Sequence, residues 1–419
     1  MPRVTLALVG AGLRGQSYAR RAQSTGAGQV VAVAEPDPAR RAAAAREFGI
    51  PPDRAFAGWA ELAAEGRLAD AAIIATQDRQ HTGPTVRLAD LGYHVLLEKP
   101  MATDEGEAAV IAEAAERNKT MLAVCHVLRY TPYTKALKSL LDEGRIGRLV
   151  SVEHLEPVGW WHQAHSFVRG NWRRSDTSAP MLLTKSCHDI DWLVYLFGRS
   201  PERVSSFGSL THFRPEAAPP GAGERCLDCS VESSCPYSAK RLYLDCLGDP
   251  DREFWPLSAV TRDHTEQGVL RALRTGPYGR CVYACDNDVV DHQVVTMEFD
   301  DGATCSFTMS AFTPMEHRHT RLLGTHGFLD GDGVTLRLVD FRTGAEELLD
   351  TRTTAWASAA DGHGGGDEAL MDAFLQAVGS QDPALLKSDA AASLASHRVV
   401  WAAERARTSG TVVRLSPAV

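Results

Sequence analysis

The chain has 419 residues, more than one hydrophobic core usually holds, and at roughly 100–200 residues per domain it divides into two. Its 44% hydrophobic and 23% charged fractions are those of a soluble globular protein, and no apolar run approaches the roughly 20 residues of a membrane span. A formal charge of −9 with dispersed arginines offers no footprint for a phosphate backbone, so neither nucleic acid nor membrane is an expected partner.

Strand-like residues begin at Val4, which leaves no room for a secretory signal and sets the expectation of a cytoplasmic protein. From 1 to 126, apolar runs alternate with Ala-rich amphipathic stretches, the pattern of a doubly wound parallel sheet. The runs predict strands over 3–9, 29–34, 71–75, 93–97 and 121–125, with helices over 15–25, 38–48, 82–91 and 103–117. Beyond 131 the texture changes. A helix to 143 and the turn Gly144-Arg145-Ile146-Gly147 precede a strand over 149–155, and a hairpin pairs 289–299 with 303–312 across Asp300-Asp301-Gly302. A strand over 320–323 leads into Gly324-Thr325-His326-Gly327, and helices over 367–378 and 389–407 follow a Gly-rich loop at 362–366. The stretch 213–280, with many Cys, Pro and Gly residues, reads as an irregular insertion or lid in a second domain spanning 127–419.

Gly10-Ala11-Gly12-Leu13-Arg14-Gly15 follows the first strand and opens the first helix, the context that makes this spacing a dinucleotide fingerprint. Gly10 permits the turn, Gly12 lets backbone approach a pyrophosphate, Gly15 lets helix pack on strand, and the amides at Leu13 and Arg14 face the anion. Glu35 ends the second strand, where a carboxylate accepts the adenosine ribose hydroxyls and favours NAD over NADP. Arg40 and Arg41 keep NADP use open.

At Gly92-Tyr93-His94-Val95-Leu96-Leu97-Glu98-Lys99-Pro100 the sequence resembles the Gfo/Idh/MocA oxidoreductases. Thr76 to His81, Arg129-Tyr130 and Gly324-Thr325-His326-Gly327 extend the resemblance over nearly the whole chain. It implies a Rossmann domain followed by an α/β domain with a large, mostly antiparallel sheet that joins copies into a homodimer or homotetramer. It also implies sugar-like substrates, and a dinucleotide contacted by Thr76, Gln77, His81, Glu98, Lys99 and Arg129. Thr184-Lys185-Ser186-Cys187-His188-Asp189-Ile190-Asp191 matches the family's Asp-x-Gly-x-His-x-x-Asp helix at His188 and Asp191 only, since Thr184 replaces the first Asp and Ser186 the Gly. If the segment is one helix, Thr184, His188 and Asp191 share a face, and Lys185 can supply the missing polar group.

Lys99 follows a strand's carboxyl end, where open α/β sheets bind ligands, and its donors can reach a reacting hydroxyl. His188 has an ordinary pKa near 6.5, which makes it the better proton acceptor of the two. His154, Trp160, Trp161, His165, Trp172 and Arg173 cluster after the first strand of the second domain, the amphipathic and hydrogen-bonding mixture that a sugar requires, with Lys99 and His188 completing the substrate set. Cys226-Leu227-Asp228-Cys229 with Cys235 and Cys281 is a candidate structural zinc site. The function expected is an NAD-dependent dehydrogenase acting on a secondary hydroxyl of a sugar, glycoside or cyclitol. Two alternatives stay open: glycoside cleavage through transient oxidation with recycled NAD, and a regulator that binds sugar and NAD without chemistry.

Overall fold

A parallel sheet covered by helices on both faces needs strands that are nearly continuous apolar runs, and the N-terminal runs meet that condition. In the computed structural model, which describes residues 3–352 and 362–415, β1 (Val4–Val9), β2 (Gly28–Ala34), β3 (Ala55–Phe56), β4 (Ala71–Ile74), β5 (His94–Leu97) and β6 (Leu122–Val124) form one parallel sheet. Their order is β3-β2-β1-β4-β5-β6, so the chain reverses direction of travel between β1 and β4, and ligands bind at the strand ends beside such a switch point. β4 and β5 are buried throughout. Asp37 and Asp104 cap the helices Pro38–Phe48 and Glu105–Asn118 by accepting backbone N–H bonds. β3 and the helix Trp59–Ala64 were not expected, because two and six residues carry too little periodicity to register.

The second domain opens with the helix Pro132–Asp142, capped by Thr131. Its strands are β7 (Leu149–Pro157), β8 (Arg203–Ser209), β9 (His292–Glu298), β10 (Thr304–Ser310), β11 (His319–Gly324), β12 (Gly327–Gly331), β13 (Thr335–Asp340), β14 (Glu346–Asp350) and β15 (Val413–Arg414). They form a nine-stranded sheet ordered β14-β13-β12-β11-β7-β10-β9-β8-β15, antiparallel except where β7 runs parallel to β10. One face buries Val152, Val295, Phe307, Leu322 and Leu336 against Trp192 and Leu193 of the helix Cys187–Phe197 and Val400 of the helix Ala390–Ser409. Each such side chain contributes about 1.5–3 kcal/mol on burial.

The tail belongs to both cores. Leu370, Met371, Phe374 and Leu375 of the helix Gly362–Ser380 pack with Val4, Leu6, Leu8 and Tyr18, so this helix covers the N-terminal sheet. The insertion is more regular than expected. It contains the helices Ala239–Leu244 and Glu266–Thr275, each with a side-chain cap, around a small core of Ala239, Tyr243, Cys246, Leu257, Val269 and Leu273. Among the described residues, no helix is long and apolar enough to cross a membrane.

Candidate functional site

The fingerprint's geometry matches its chemistry. Gly10 has φ +91°, and a Cβ there would lie 2.5 Å from the Ala75 carbonyl oxygen, while a Cβ on Gly15 would lie 2.1 Å from the Gly10 oxygen. A Cβ on Gly12 would meet nothing within 4 Å, and no side chain caps the helix Leu13–Ser24 that starts beside it. An open cradle facing unpaired amides is what a pyrophosphate needs, so the residues present fit a dinucleotide. Glu35 is buried at the end of β2. Its Oε2 accepts from Ala11 N at 2.9 Å, and its Oε1 from Asp37 N at 2.9 Å and Arg40 Nη2 at 2.8 Å. Oε1 is filled by two donors, whereas Oε2 has one and keeps acceptor capacity for a hydroxyl. Arg40 is thereby tied to Glu35, and Arg41 Nη1 donates to the Glu35 carbonyl at 2.5 Å.

Several residues assigned to the cofactor have other employment. The Arg14 guanidinium turns away to Glu98, 2.6 Å from Nε, and bonds Tyr18 and Asp367. Glu98 Oε2 accepts from Lys99 N at 2.7 Å. Burial opposes the charge of Glu98, but Arg14 and Lys99 outweigh it and hold the carboxyl below its usual range. His81 is buried with its ring nitrogens 2.8 Å from the Pro100 oxygen and 3.3 Å from the Thr76 oxygen, so it ties two loops together. Thr76 Oγ1 is buried without a partner beside the cradle, and Gln77 is exposed.

Arg129 and Asp191 pair with each other. Nε and Nη2 of Arg129 donate to the two Asp191 oxygens at 2.7 and 2.6 Å, and Ser396 Oγ adds a third bond at 2.7 Å. Both side chains are buried, and the pair forms a joint between three helical segments.

The expected single helix over 184–191 is two, Met181–Thr184 and Cys187–Phe197. The break frees the Thr184 carbonyl, which accepts from Lys99 Nζ at 2.5 Å and brings the end of β5 against the second domain. The Lys99–Pro100 peptide bond is cis. His188 is buried one turn further on. Its Nε2 accepts from Arg318 Nη2 at 2.9 Å, its Nδ1 has no partner, and the His363 ring packs edge-on at 5.6 Å. Burial pushes the imidazole well below its ordinary pKa, and Arg318, Lys99 and His363 together oppose the pull of Asp189. The bond from Arg318 and the lowered pKa both favour the neutral ring. Arg318 is itself bound by Asp189 and lies 2.9 Å from Glu156 Oε2, while Lys185 Nζ lies 2.8 Å from Glu156 Oε1. Lys185 is thus spent on Glu156.

The proposed wall divides. His154 lies beneath the sheet between Trp192 and Phe307, with Nδ1 2.7 Å from Thr320 Oγ1. His165 is buried against Tyr278, with Nδ1 2.8 Å from the Tyr243 hydroxyl. Trp172 donates to Asp78 at 3.1 Å, and Arg173 pairs with Asp286 at 3.0 Å. Each of the four thus has at least one polar partner within the fold. Trp160 stays exposed, and Trp161 forms an aromatic group with His162 and with Trp255 from the insertion, ring centres 6.0 and 5.2 Å away. Sequence reasoning missed Asp189, Arg318, His363, Asp367 and Trp255 as members of this region. The charged run Glu316-His317-Arg318-His319 ahead of β11 was the one available signal.

All nine cysteines are free thiols. Cys226, Cys229, Cys235 and Cys281 line one small cavity with Arg169, Glu232 and Ser238. Among the described residues, no three His, Cys, Asp or Glu side chains already stand as a metal-ligand set, so the zinc expectation is not met by this arrangement.

Comparison with known proteins agrees with the fold. Residues 4–126 match the model of the oxidoreductase family's NAD-binding Rossmann fold, and 138–415 match its C-terminal alpha/beta domain. The oxidoreductase YteT of Bacillus subtilis is 26% identical over 322 residues, covering 73% of this chain and 72% of its own. The 2,7-anhydro-N-acetylneuraminate hydratase of Escherichia coli is 26% identical over 150 residues, 36% of this chain and 39% of its own. The WlbA dehydrogenase from Chromobacterium, solved with NADH and UDP-GlcNAcA, superposes with a TM-score of 0.67 at 17% identity, covering 100% of this chain and 98% of the other. With an open dinucleotide cradle in a Rossmann sheet, and both family models together spanning almost its whole length, the chain belongs to the Gfo/Idh/MocA oxidoreductase family.

Proposed function

We propose that this protein exchanges hydride between NAD and a secondary alcohol or ketone of a sugar, glycoside or cyclitol. The observation that carries the reading is the meeting of Lys99 with the His188 segment beside the fingerprint's switch point. A bound nicotinamide supplies the hydride acceptor or donor. Lys99 exchanges the proton: as the free amine its Nζ takes the hydroxyl proton while hydride leaves for the nicotinamide, and as the ammonium it returns a proton to the ketone oxygen in the reverse direction. His188 accepts from a permanently charged arginine and is held neutral, so it is a poor base in this arrangement, and Lys99 becomes the better candidate. Trp160, Trp161, His162 and Trp255 offer flat amphipathic surface for a ring. Glu35 favours NAD, because a 2′-phosphate would meet its charge. A homodimer or homotetramer through the second sheet belongs to the same reading and is supported by Phe207 and Leu348, exposed on β8 and β14.

The test is purified protein with NAD and, separately, NADP against monosaccharides, cyclitols and glycosides, following NADH absorbance and products together. NADH formed stoichiometrically with one class supports a dehydrogenase. A second reading, transient oxidation with recycled NAD, gains weight because one relative is a hydratase acting on an anhydro sugar, a reaction without net oxidation. It predicts converted substrate without accumulated NADH. No reaction with any class, despite dinucleotide binding, would sink both.

A further inference from the structure

The neck of the insertion holds an unusual charge arrangement. The chain enters and leaves the insertion side by side, with Arg225 bridged to Arg280 and Cys281 N donating to the Glu224 oxygen at 2.8 Å. This crossing brings Cys281 to the cavity shared by Cys226, Cys229 and Cys235. Arg169 lines the same cavity and is 1% exposed. Its Nε donates to the Arg280 oxygen at 2.7 Å, and its Nη2 donates to the Tyr237 oxygen at 2.8 Å and to Cys226 Sγ at 3.5 Å. None of these partners is a carboxylate, and Nη1 has no partner. Glu232, the carboxylate lining the same cavity, is bonded by Ser238 Oγ and makes no ion pair with Arg169, so the buried guanidinium is held directly only by carbonyls and a thiol. Backbone amides also point at sulfur: Ala239 N to Cys226 at 3.5 Å and Gly223 N to Cys229 at 3.4 Å. A neutral thiol is a weak acceptor that does not call for three N–H donors, whereas a metal-bound thiolate does.

We propose that Cys226, Cys229, Cys235 and Cys281 close on a thiophilic divalent cation, zinc by the chemistry of the donors, with Arg169 as the countercharge beside it. Each thiol releases its proton to solvent on binding, and four thiolates around a divalent ion leave a net charge of minus two that Arg169 partly offsets. In the bound site each sulfur would stand about 2.3 Å from the ion. The centre is structural: it clamps the two arms of the segment that delivers Trp255 to the aromatic group around Trp161.

The full chain, expressed with added zinc and dialysed against buffer, is expected to retain about one metal equivalent by mass spectrometry. Exchange into cobalt is expected to give intense thiolate-to-metal charge transfer in the near ultraviolet and visible tetrahedral bands. Cys229→Ser and Cys235→Ser lose the metal and the bands, while Cys246→Ser, outside the cavity, keeps both. Because a cysteine variant can fail for reasons of folding, the cobalt spectrum of the unaltered protein stands as an independent readout. Metal absent after zinc supplementation, a cobalt spectrum of oxygen and nitrogen ligation, or a disulfide among the four cysteines in intact-mass analysis would each overturn the assignment.

Discussion

Lys99 Nζ donates to the Thr184 carbonyl oxygen across 2.5 Å, a contact available only because the helix breaks at the two residues that follow Thr184. The backbone, not the threonine side chain, holds the lysine: Thr184 Oγ1 has only contacts of 3.5 Å to Pro180 and Met181 oxygens. Thr184→Val should therefore keep near-native turnover. Lys99→Met should lower kcat by about 10²–10⁴, the usual worth of a positioned acid or base, with dinucleotide still bound. Initial rates and NADH fluorescence titration on the same preparations check both. A Lys99→Met enzyme of native rate would return the proton transfer to another group.

Gly12 and Gly15 separate binding from folding. A side chain at Gly12 enters open space, so Gly12→Val should fold with an unchanged Tm and lose dinucleotide affinity. A side chain at Gly15 would sit 2.1 Å from the Gly10 oxygen and 3.1 Å from Leu8, so Gly15→Ala should cost about 1–3 kcal/mol of stability. Thermal melts with and without NAD decide the matter, and equal behaviour of the two variants would contradict it.

The first sheet, β3 aside, was legible because its strands are mostly apolar and its helices repeat every turn, and because a fingerprint between them has a fixed physical meaning. The site was legible only where one local segment builds it. Lys99 and His188 carry their own motifs, whereas Arg318 reaches His188 from 130 positions away and Asp367 reaches Arg14 from 353 positions away. Nothing in a local window reports such pairings. The same limit hid the partners of His154 and Arg129, which lie 166 and 62 positions away. The four cysteines at one cavity were legible from spacing for Cys226, Cys229 and Cys235, and from composition for Cys281.

Glu35 holds Ala11 N, Asp37 N and Arg40, so its removal has two consequences. Glu35→Ser loses the ribose acceptor, raising KM for NAD. It also frees Arg40 toward a 2′-phosphate, and the cofactor preference should move toward NADP by about tenfold for each 1.4 kcal/mol of repulsion removed. The ratio of kcat/KM for the two cofactors is the measurement. An unchanged ratio would mean that another residue meets the 2′ position.

Acid should unfold this protein from histidines before carboxylates. Burial pushes His126 and His165 down to about 3 and His397 to about 4, although Asp191 pulls the other way on His126 and on His397. The unfolded chain takes up these protons near 6.5, so the stabilisation is complete above that pH and is lost as pH falls toward 4. Each histidine contributes a slope of about 1.4 kcal/mol per pH unit within that window. Below it, Asp189, Asp191 and Asp367, whose folded values are depressed, add a slope of the same sign. His126 isolates one term, because both of its ring nitrogens are buried without a hydrogen-bond partner. The groups facing it are Asp191, His397, Arg129 and Lys99. His126→Leu removes an unsatisfied polar group, so urea midpoints should match or exceed the native protein at pH 7.5, and the gain should widen at pH 5.5. A gain that stays constant between the two values would show that His126 titrates alike in the folded and unfolded chain.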